Sequence, residues 1–201
     1  RVRGHESHSA KLHQGVSAVH VGARLAMALE KIGAEIAEES ASSERFDPPV
    51  STVHVVIIGG GTARNIMARD CELLWEFRGL PGVSLRTAYN KFMLACDEIA
   101  QRRFKGFPDC EIVTQIEVEI PALAPEPGSP AETLALRLSR QNRTVAVPYA
   151  SEAGQFQLHD LPTVLCGPGS IEQAHQADEY CEIAQIEECV AFLRRLAAEL
   201  S

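Results

Sequence analysis

Long apolar runs and an excess of positive charge are both missing from this sequence. No apolar segment reaches the roughly 18 residues that a helix needs to cross a bilayer, so we expect no membrane anchor. The chain has 19 basic and 27 acidic residues, which gives a net charge of −8 at neutral pH. Because nucleic acids and anionic membranes attract positive charge, we expect neither as a partner.

Closely spaced cysteine pairs are also absent, although the chain contains six cysteines. They are far apart, form no Cys-x-x-Cys pair and lie mostly in segments with an apolar pattern. We therefore expect buried free thiols in a reducing, cytoplasmic compartment. The sequence starts at Arg1-Val2-Arg3-Gly4, without a methionine and with the pattern of a strand interior, so we interpret the chain as a fragment.

Residues 1–120 are predicted to form a βαββαβ module. After a short opening strand, apolar residues recur three and four apart, which predicts an amphipathic helix. Strands are expected at residues 52–58 and 67–77, a second helix begins at Ser84, and alternation predicts a last strand at residues 112–120. Two helices on one face of a four-stranded antiparallel sheet form a ferredoxin-like arrangement, so the fold class is α/β with an α+β first domain.

This module is also expected to pair with a second copy of itself. A sheet of this kind leaves an edge strand exposed, and the apolar helix residues Leu25, Leu29 and Ile32 offer a self-complementary surface. We therefore predict a two-fold homodimer.

Residues 121–201 are predicted to form a separate portion. Four prolines between Pro121 and Pro130 indicate a stiff connector, and Ser129 with Glu132 forms a capping box that starts a helix. Further elements are expected as strands at 145–149 and 162–166 and a helix at 186–200. The continuous apolar strands are typical of a parallel sheet covered on both faces. Because this portion supplies so few strands, it is too small to complete such a sheet by itself.

The second predicted strand leads into a loop rich in glycine, Cys166-Gly167-Pro168-Gly169-Ser170, followed by His175 and the acidic pair Asp178-Glu179. Glycines allow the backbone to approach a ligand closely, and a neutral imidazole binds metal ions. A single histidine is nevertheless more often structural than a ligand, and the residues alone leave both interpretations open.

The loop closely resembles the last metal-binding loop of the acetylornithine deacetylase family, within the co-catalytic zinc aminoacylase and carboxypeptidase superfamily. The resemblance implies a cytosolic hydrolase with two zinc or cobalt ions and assigns His175 as a metal ligand. It also implies that Gly169 and Ser170 donate hydrogen bonds to the substrate and that Glu179 braces the loop. On this basis residues 1–120 are the lid or dimerisation domain, and residues 121–201 are the C-terminal part of a zinc-peptidase-like catalytic domain.

His8 lies in Gly4-His5-Glu6-Ser7-His8-Ser9, between the first strand and the first helix. From the residues alone it is equally well a polar loop histidine. The resemblance implies that His8 reaches into the active site of the partner subunit and stabilises the oxyanion of the tetrahedral intermediate, a role that suits an imidazole N–H.

Asn65 and Arg78 follow the Gly60-Gly61 turn. A guanidinium is suited to hold a carboxylate, but Asn65 could instead cap a turn and Arg78 could pair with Glu76. The resemblance implies that both residues hold the α-carboxylate of the substrate, with Asn65 acting across the subunit interface.

Glu152 follows the strand predicted at 145–149, where the family usually has a threonine before the glutamate and this chain has Ser151. The resemblance implies a contact with the substrate or support for the metal, whereas the alternative is a carboxylate at a helix start. The family's His-x-Asp motif and catalytic Glu-Glu pair have no counterpart here. We therefore expect that the chain alone binds no stoichiometric metal and is inactive.

For the parent protein the resemblance implies removal of the acetyl group from N2-acetylornithine, an amino-acid biosynthetic step that leads to arginine. The alternatives within the superfamily are a succinyl-diaminopimelate desuccinylase, an aminoacylase or a carboxypeptidase. An alternative from another class is an isolated, non-catalytic dimerisation module.

Overall fold

The structure of the protein is a computed structural model that describes residues 1–174 and 176–201. The chain divides into two units, each of which is described by itself. The N-terminal unit comprises residues 1–44 and 48–119, and the C-terminal unit comprises residues 45–47 and 120–201. Among the described helices, none is both long enough and apolar enough to cross a bilayer.

The N-terminal unit follows the predicted βαββαβ order. Its elements are β1 (Val2–Arg3), α1 (Ala18–Glu39), β2 (Thr52–Gly60), β3 (Asp70–Arg78), α2 (Leu85–Arg103) and β4 (Glu111–Ile112). The strands form one sheet in the order β2-β3-β1-β4, in which every neighbouring pair is antiparallel. This strand order is the ferredoxin-like arrangement that the sequence predicted.

Helix α1 has the apolar stripe that its spacing predicted. The Ser17 side chain accepts a hydrogen bond from the backbone N–H of His20 and so caps the first turn. The stripe packs against β2 and β3, and Leu25, Leu29 and Ile32 are all buried in the core of their own unit. The prediction that these three residues offer a dimer surface is therefore wrong, because the sheet of the same chain already covers them.

A close approach between α1 and β3 depends on a glycine. A Cβ atom on Gly22 would lie 2.6 Å from the Cys71 Sγ, which is far too short for a van der Waals contact. The absence of a side chain at Gly22 therefore lets the helix rest directly on the strand. Cys71 and Cys96 are buried, and burial raises the pKa of the Cys96 thiol to about 11.

The last strand is much shorter than expected. The sequence predicted a strand at 112–120, whereas β4 contains only Glu111–Ile112. Its neighbour β1 is equally short, and its pairing with β4 continues only through hydrogen bonds between Arg1 and Val113. Because a strand needs a partner for its backbone groups, the alternating residues beyond Val113 have no ladder to join.

The described residues of the C-terminal unit form three α-helices. They are α3 (Pro130–Ser139), α4 (Ala153–Gln157) and α5 (Ile183–Glu199). The predicted cap of α3 is present, since the Ser129 hydroxyl accepts from the Glu132 backbone N–H at 3.2 Å and Pro130 occupies the first turn. Helices α3 and α5 pack together, and two hydrogen bonds of 2.9 and 2.8 Å join Arg137 to Glu199.

The strands predicted at 145–149 and 162–166 do not form. Neither segment contains a strand, and neither pairs with another segment among the described residues of this unit. Their large apolar side chains remain partly or largely exposed, including Val145 and Leu165. An apolar pattern indicates which face of a strand prefers burial, but the strand itself also requires a neighbour.

Candidate functional site

The loop between β1 and α1 carries His8 and is closed at its base by the backbone. The N–H and C=O groups of His5 both bond to Val16, each at 2.9 Å. Gly15 allows this closure, because a Cβ atom there would lie 2.6 Å from the His5 carbonyl oxygen. A short 3₁₀ turn at Leu12–Gln14 completes the loop.

The segment that connects β2 to β3 carries Asn65 and lies against the same loop. The Ser9 N–H donates to the Asn65 carbonyl oxygen at 2.9 Å, and the Met67 N–H donates to the Ser7 carbonyl oxygen at 2.8 Å. His8 and Ile66 form an isolated antiparallel bridge between these bonds. Two of the residues predicted for the site, His8 and Asn65, are therefore neighbours in space within one chain.

One hydrogen bond determines which nitrogen of His8 carries the proton in the neutral imidazole. The Ala10 backbone N–H donates to the His8 Nδ1 at 3.1 Å, so Nδ1 provides a lone pair. The proton of the neutral ring then lies on Nε2, which makes Nε2–H a donor. His8 is exposed, so a group outside this chain can approach it.

Arg78 lies at the opposite end of β3 from this pair. In the sheet register Asp70 is opposite Arg3 and Arg78 is opposite Thr52. At about 3.3 Å per residue the two ends of β3 are about 26 Å apart, so the structure does not bring Arg78 to His8 and Asn65 within one chain. Arg78 instead donates from Nε to the Glu76 Oε1 at 3.0 Å and from Nη2 to Oε2 at 3.2 Å, which is the alternative that the sequence left open.

Glu152, Gly169 and Ser170 lie in the C-terminal unit. Glu152 precedes α4 and is exposed, and its side chain makes no capping hydrogen bond to that helix. Gly169 has a positive φ of 102°, which favours glycine. The Ser170 hydroxyl accepts from the Glu172 N–H at 3.3 Å and thus caps the 3₁₀ turn at Ile171–Gln173.

The metal ligand predicted at His175 lies outside the described residues, and Glu179 beyond it is exposed. No group of three or more His, Cys, Asp or Glu side chains within residues 1–174 and 176–201 is arranged to hold a metal ion. Because a catalytic zinc ion needs about three protein ligands, the described residues do not fit such a centre.

The sequence did not single out the contact between His5 and Asp109. The His5 Nδ1 lies 2.8 Å from the Asp109 Oδ2, and the His5 ring lies over Phe107 at 5.1 Å between centroids. The hydrogen bond from His5 lowers the pKa of the Asp109 carboxyl group. The strand order could have indicated this pair, because residues after β1 and before β4 meet at the same end of two neighbouring antiparallel strands.

An open cleft of about 530 Å³ lies beside this pair, between Arg3, Arg69 and Asp109. Both arginines are already in ion pairs, Arg3 with Glu111 and Arg69 with Asp70. The cleft is lined by none of the residues predicted for the site, so we do not place the chemistry there.

The fold of the chain is shared with known peptidases. Residues 1–103 match the family of the peptidase dimerisation domain, M20_dimer. The chain belongs to this family. The solved aminopeptidase PepT from Bacillus cereus matches 96% of the chain and 48% of its own length, with a TM-score of 0.67 and 19% identity. A putative aminohydrolase from Staphylococcus aureus matches the same shares with a TM-score of 0.69 and 16% identity.

Curated relatives are similar along nearly the whole chain. An acetylornithine deacetylase from Aliivibrio fischeri is 33% identical over 197 residues, which are 98% of this chain and 50% of that protein. Another from Myxococcus xanthus is 31% identical over 198 residues, with the same coverage. The resemblance stated from the sequence is confirmed, and the chain spans about half the length of the curated relatives that it matches.

Proposed function

We propose that this chain is the dimerisation domain and the C-terminal part of the catalytic domain of a hydrolase that removes the acetyl group from N2-acetylornithine. The observation that supports the proposal is the backbone pairing of the His8 loop with the Asn65 segment, which makes these two residues near neighbours along paired backbone segments. The similarity to acetylornithine deacetylases along both units supports the choice of substrate.

In this proposal His8 stabilises the oxyanion that forms when water attacks the acetyl carbonyl group. Its neutral ring presents Nε2–H as the donor, because Nδ1 is occupied by the Ala10 N–H. A donor aimed at developing negative charge stabilises the transition state more than the ground state. Arg78 and Asn65 hold the α-carboxylate, for which a guanidinium fork and an amide N–H are suited. Glu152, Gly169 and Ser170 are proposed as further substrate contacts.

The separation of the two ends of β3 leads us to propose a site shared between two subunits. Arg78 lies about 26 Å along β3 from the end that carries Asn65, which is too far for both to bind one carboxylate in the same chain. In a two-fold homodimer, Arg78 of one chain and Asn65 and His8 of the partner subunit would meet at one substrate. The exposed edge of β2 is the proposed contact between subunits.

We further propose that hydrolysis depends on zinc or cobalt, with His175 as one ligand. Since the described residues of this chain form no metal centre, the remaining ligands would lie elsewhere in the parent protein. The 201-residue chain would then bind no stoichiometric metal and hydrolyse no N2-acetylornithine. Metal analysis and a chelator-sensitive deacetylase assay on the purified chain test this, and two retained metal ions would contradict it.

The experiment that tests the function replaces His8 and Arg78 in the full-length protein. His8→Ala should lower kcat by ~100-fold, whereas His8→Gln, which keeps an N–H donor, should lose less. Arg78→Lys should chiefly raise KM, because an ammonium group cannot form the two parallel bonds of a guanidinium. His13→Ala, in the same exposed loop, is the matched control and should leave both constants unchanged. An unchanged kcat in His8→Ala would exclude the oxyanion role.

A second candidate function is an isolated dimerisation module without catalysis. It is favoured by the family match, which is confined to residues 1–103, and by the closed core of the N-terminal unit. Deacetylase activity in the full-length protein that depends on His8 would decide against this candidate.

A further inference from the structure

The arginine proposed to hold the substrate carboxylate already holds a carboxylate of its own chain. Arg78 forms two parallel hydrogen bonds to Glu76, of 3.0 Å from Nε and 3.2 Å from Nη2. This two-bond geometry is the one that a substrate carboxylate would adopt on the same guanidinium. Glu76 therefore occupies, within the protein, the arrangement that the substrate needs.

The sheet keeps Glu76 at this position. Residues two apart on a strand share a face, so Glu76 and Arg78 point to the same side of β3. In the ladder with β2, Glu76 is opposite His54 and Arg78 is opposite Thr52. A paired backbone cannot carry the Glu76 carboxylate away from Arg78, so a substrate can displace this group only by a rotation of the side chain.

The Arg78–Glu76 ion pair is exposed to solvent, so another carboxylate can exchange with that of Glu76. The side chain of Arg78 is 53% exposed and that of Glu76 is 43% exposed. Ion pairs at such positions are weak, because water and salt screen them. A substrate carboxylate can therefore replace Glu76, but the displaced carboxylate stays within a side-chain length of the bound substrate.

We propose that Glu76 is a specificity-determining residue that competes for Arg78 and selects substrates by the charge of their side chain. The inference rests on the proposed function of Arg78. Once displaced, the Glu76 carboxylate attracts a positively charged group beside the α-carboxylate and repels a negatively charged one. The favoured substrates are Nα-acyl amino acids with a cationic side chain, and those with an acidic side chain are rejected.

Another acidic residue on the same strand provides a matched control. Glu72 lies on the same face of β3, two same-face positions before Glu76, and its Oε1 pairs with the Arg1 Nε at 3.2 Å. Glu72→Gln changes the net charge by the same amount as Glu76→Gln but leaves the Arg78 pair in place. It therefore separates a local effect at Arg78 from a general change in charge.

The test compares Nα-acetylornithine and Nα-acetylglutamate as substrates of the full-length protein. Glu76→Gln should raise kcat/KM for Nα-acetylglutamate by about tenfold, mainly through KM, because the repelling charge is removed. It should lower kcat/KM for Nα-acetylornithine by about threefold, because an attracting charge is lost. Glu72→Gln should change neither value.

Any other result contradicts the selection by charge, the role of Arg78 or the proposed function. Equal changes for both substrates in Glu76→Gln, or the same changes in Glu72→Gln, would overturn the selection by charge while leaving the proposed function intact. If Arg78→Lys left KM unchanged for both substrates, the carboxylate role of Arg78 would be wrong. A wild-type protein that hydrolysed neither substrate would contradict the proposed function and this inference together.

Discussion

The N-terminal unit closes around a core, whereas the C-terminal unit has amphipathic helices with little to cover them. In the first, a sheet and two helices bury a continuous cluster that includes Leu29, Ile36 and Phe92. In the second, the buried hydrophobic residues among those described are Leu138 and Ala153. A serine side chain caps α1 and α2 in the first unit and α3 in the second. The difference therefore shows that capped helices make a core only when a sheet or another layer faces them.

Truncating one leucine in each unit should give the largest difference in stability between the two units. Leu29 in α1 is 0% exposed, and Leu193 in α5 is 53% exposed. Leu29→Ala should lower the free energy of unfolding of the N-terminal unit by about 3 kcal/mol, through lost burial and a cavity. Leu193→Ala should cost less than about 1 kcal/mol, because a half-exposed side chain loses little burial.

The single tryptophan makes the first of these measurements specific. Trp75 lies in β3 and packs against Phe92 at 5.1 Å between ring centroids, so its fluorescence in a urea titration reports on the N-terminal unit. Leu193→Ala serves as the control and should leave this transition unchanged. Equal shifts for both variants would mean that the two units unfold as one.

A smaller loss of stability is expected from a substitution at the contact between α1 and β3. Gly22→Ala places a Cβ atom 2.6 Å from the Cys71 Sγ. Overpacking costs about 1–3 kcal/mol, and the gain in helix propensity offsets about 1 kcal/mol of it. A net loss of up to about 2 kcal/mol should therefore appear in the Trp75 transition. Cys71→Ala in the same chain should recover part of this loss, and strictly additive effects would show that the contact is not responsible.

Removal of a helix cap should cost a similar free energy in both units, since a cap depends on local geometry rather than on the core. The Ser84 hydroxyl accepts from the Arg86 N–H, and the Ser129 hydroxyl accepts from the Glu132 N–H. Ser84→Ala and Ser129→Ala should each cost about 1 kcal/mol, measured by hydrogen exchange in α2 and α3. Substitution to Asp, which keeps an acceptor, should cost much less, and a similar loss with Asp would exclude capping as the cause.

The smallest predicted effect is a pH dependence at the start of α3. The Gly128 N–H, the Thr144 hydroxyl and the charge of Arg45 lower the pKa of Glu132 below its ordinary value of 4.5. A lowered pKa in the folded state means that this contribution to stability is present above about pH 4.5 and is lost as the pH falls through the folded pKa. Thr144→Val should shift the Glu132 titration upward in an NMR experiment, and an unchanged titration would exclude the hydroxyl as a cause.

Periodicity in the sequence was enough to predict the elements that depend on local pattern. The stripe of α1 and the caps at Ser84 and Ser129 are as expected, because spacing and capping act within a few residues. The strands at 145–149 and 162–166 have an equally clear pattern and do not form. Their existence depends on a neighbouring strand, which a pattern within the segment cannot supply.

In the candidate site, too, some features could be predicted within a short segment, whereas others depend on how the strands are ordered. His8 and Asn65 were each singled out by residue type and resemblance, but their proximity follows from the strand order of the sheet. The pairing of His5 with Asp109 was missed for that reason, since it joins the ends of β1 and β4. The Arg78–Glu76 pair lies within one strand, so the sequence could offer it as an alternative.

The two edges of the four-stranded sheet differ greatly in length. The edge strand β2 has nine residues with a bulge between Val55 and Ile57, whereas β4 at the other edge has two. A chain of sheets can grow without limit only if each copy offers two edges that accept a neighbour. Because one edge is too short to extend the ladder, the proposed addition at β2 would use up the available edge on both copies, and assembly would stop after one step.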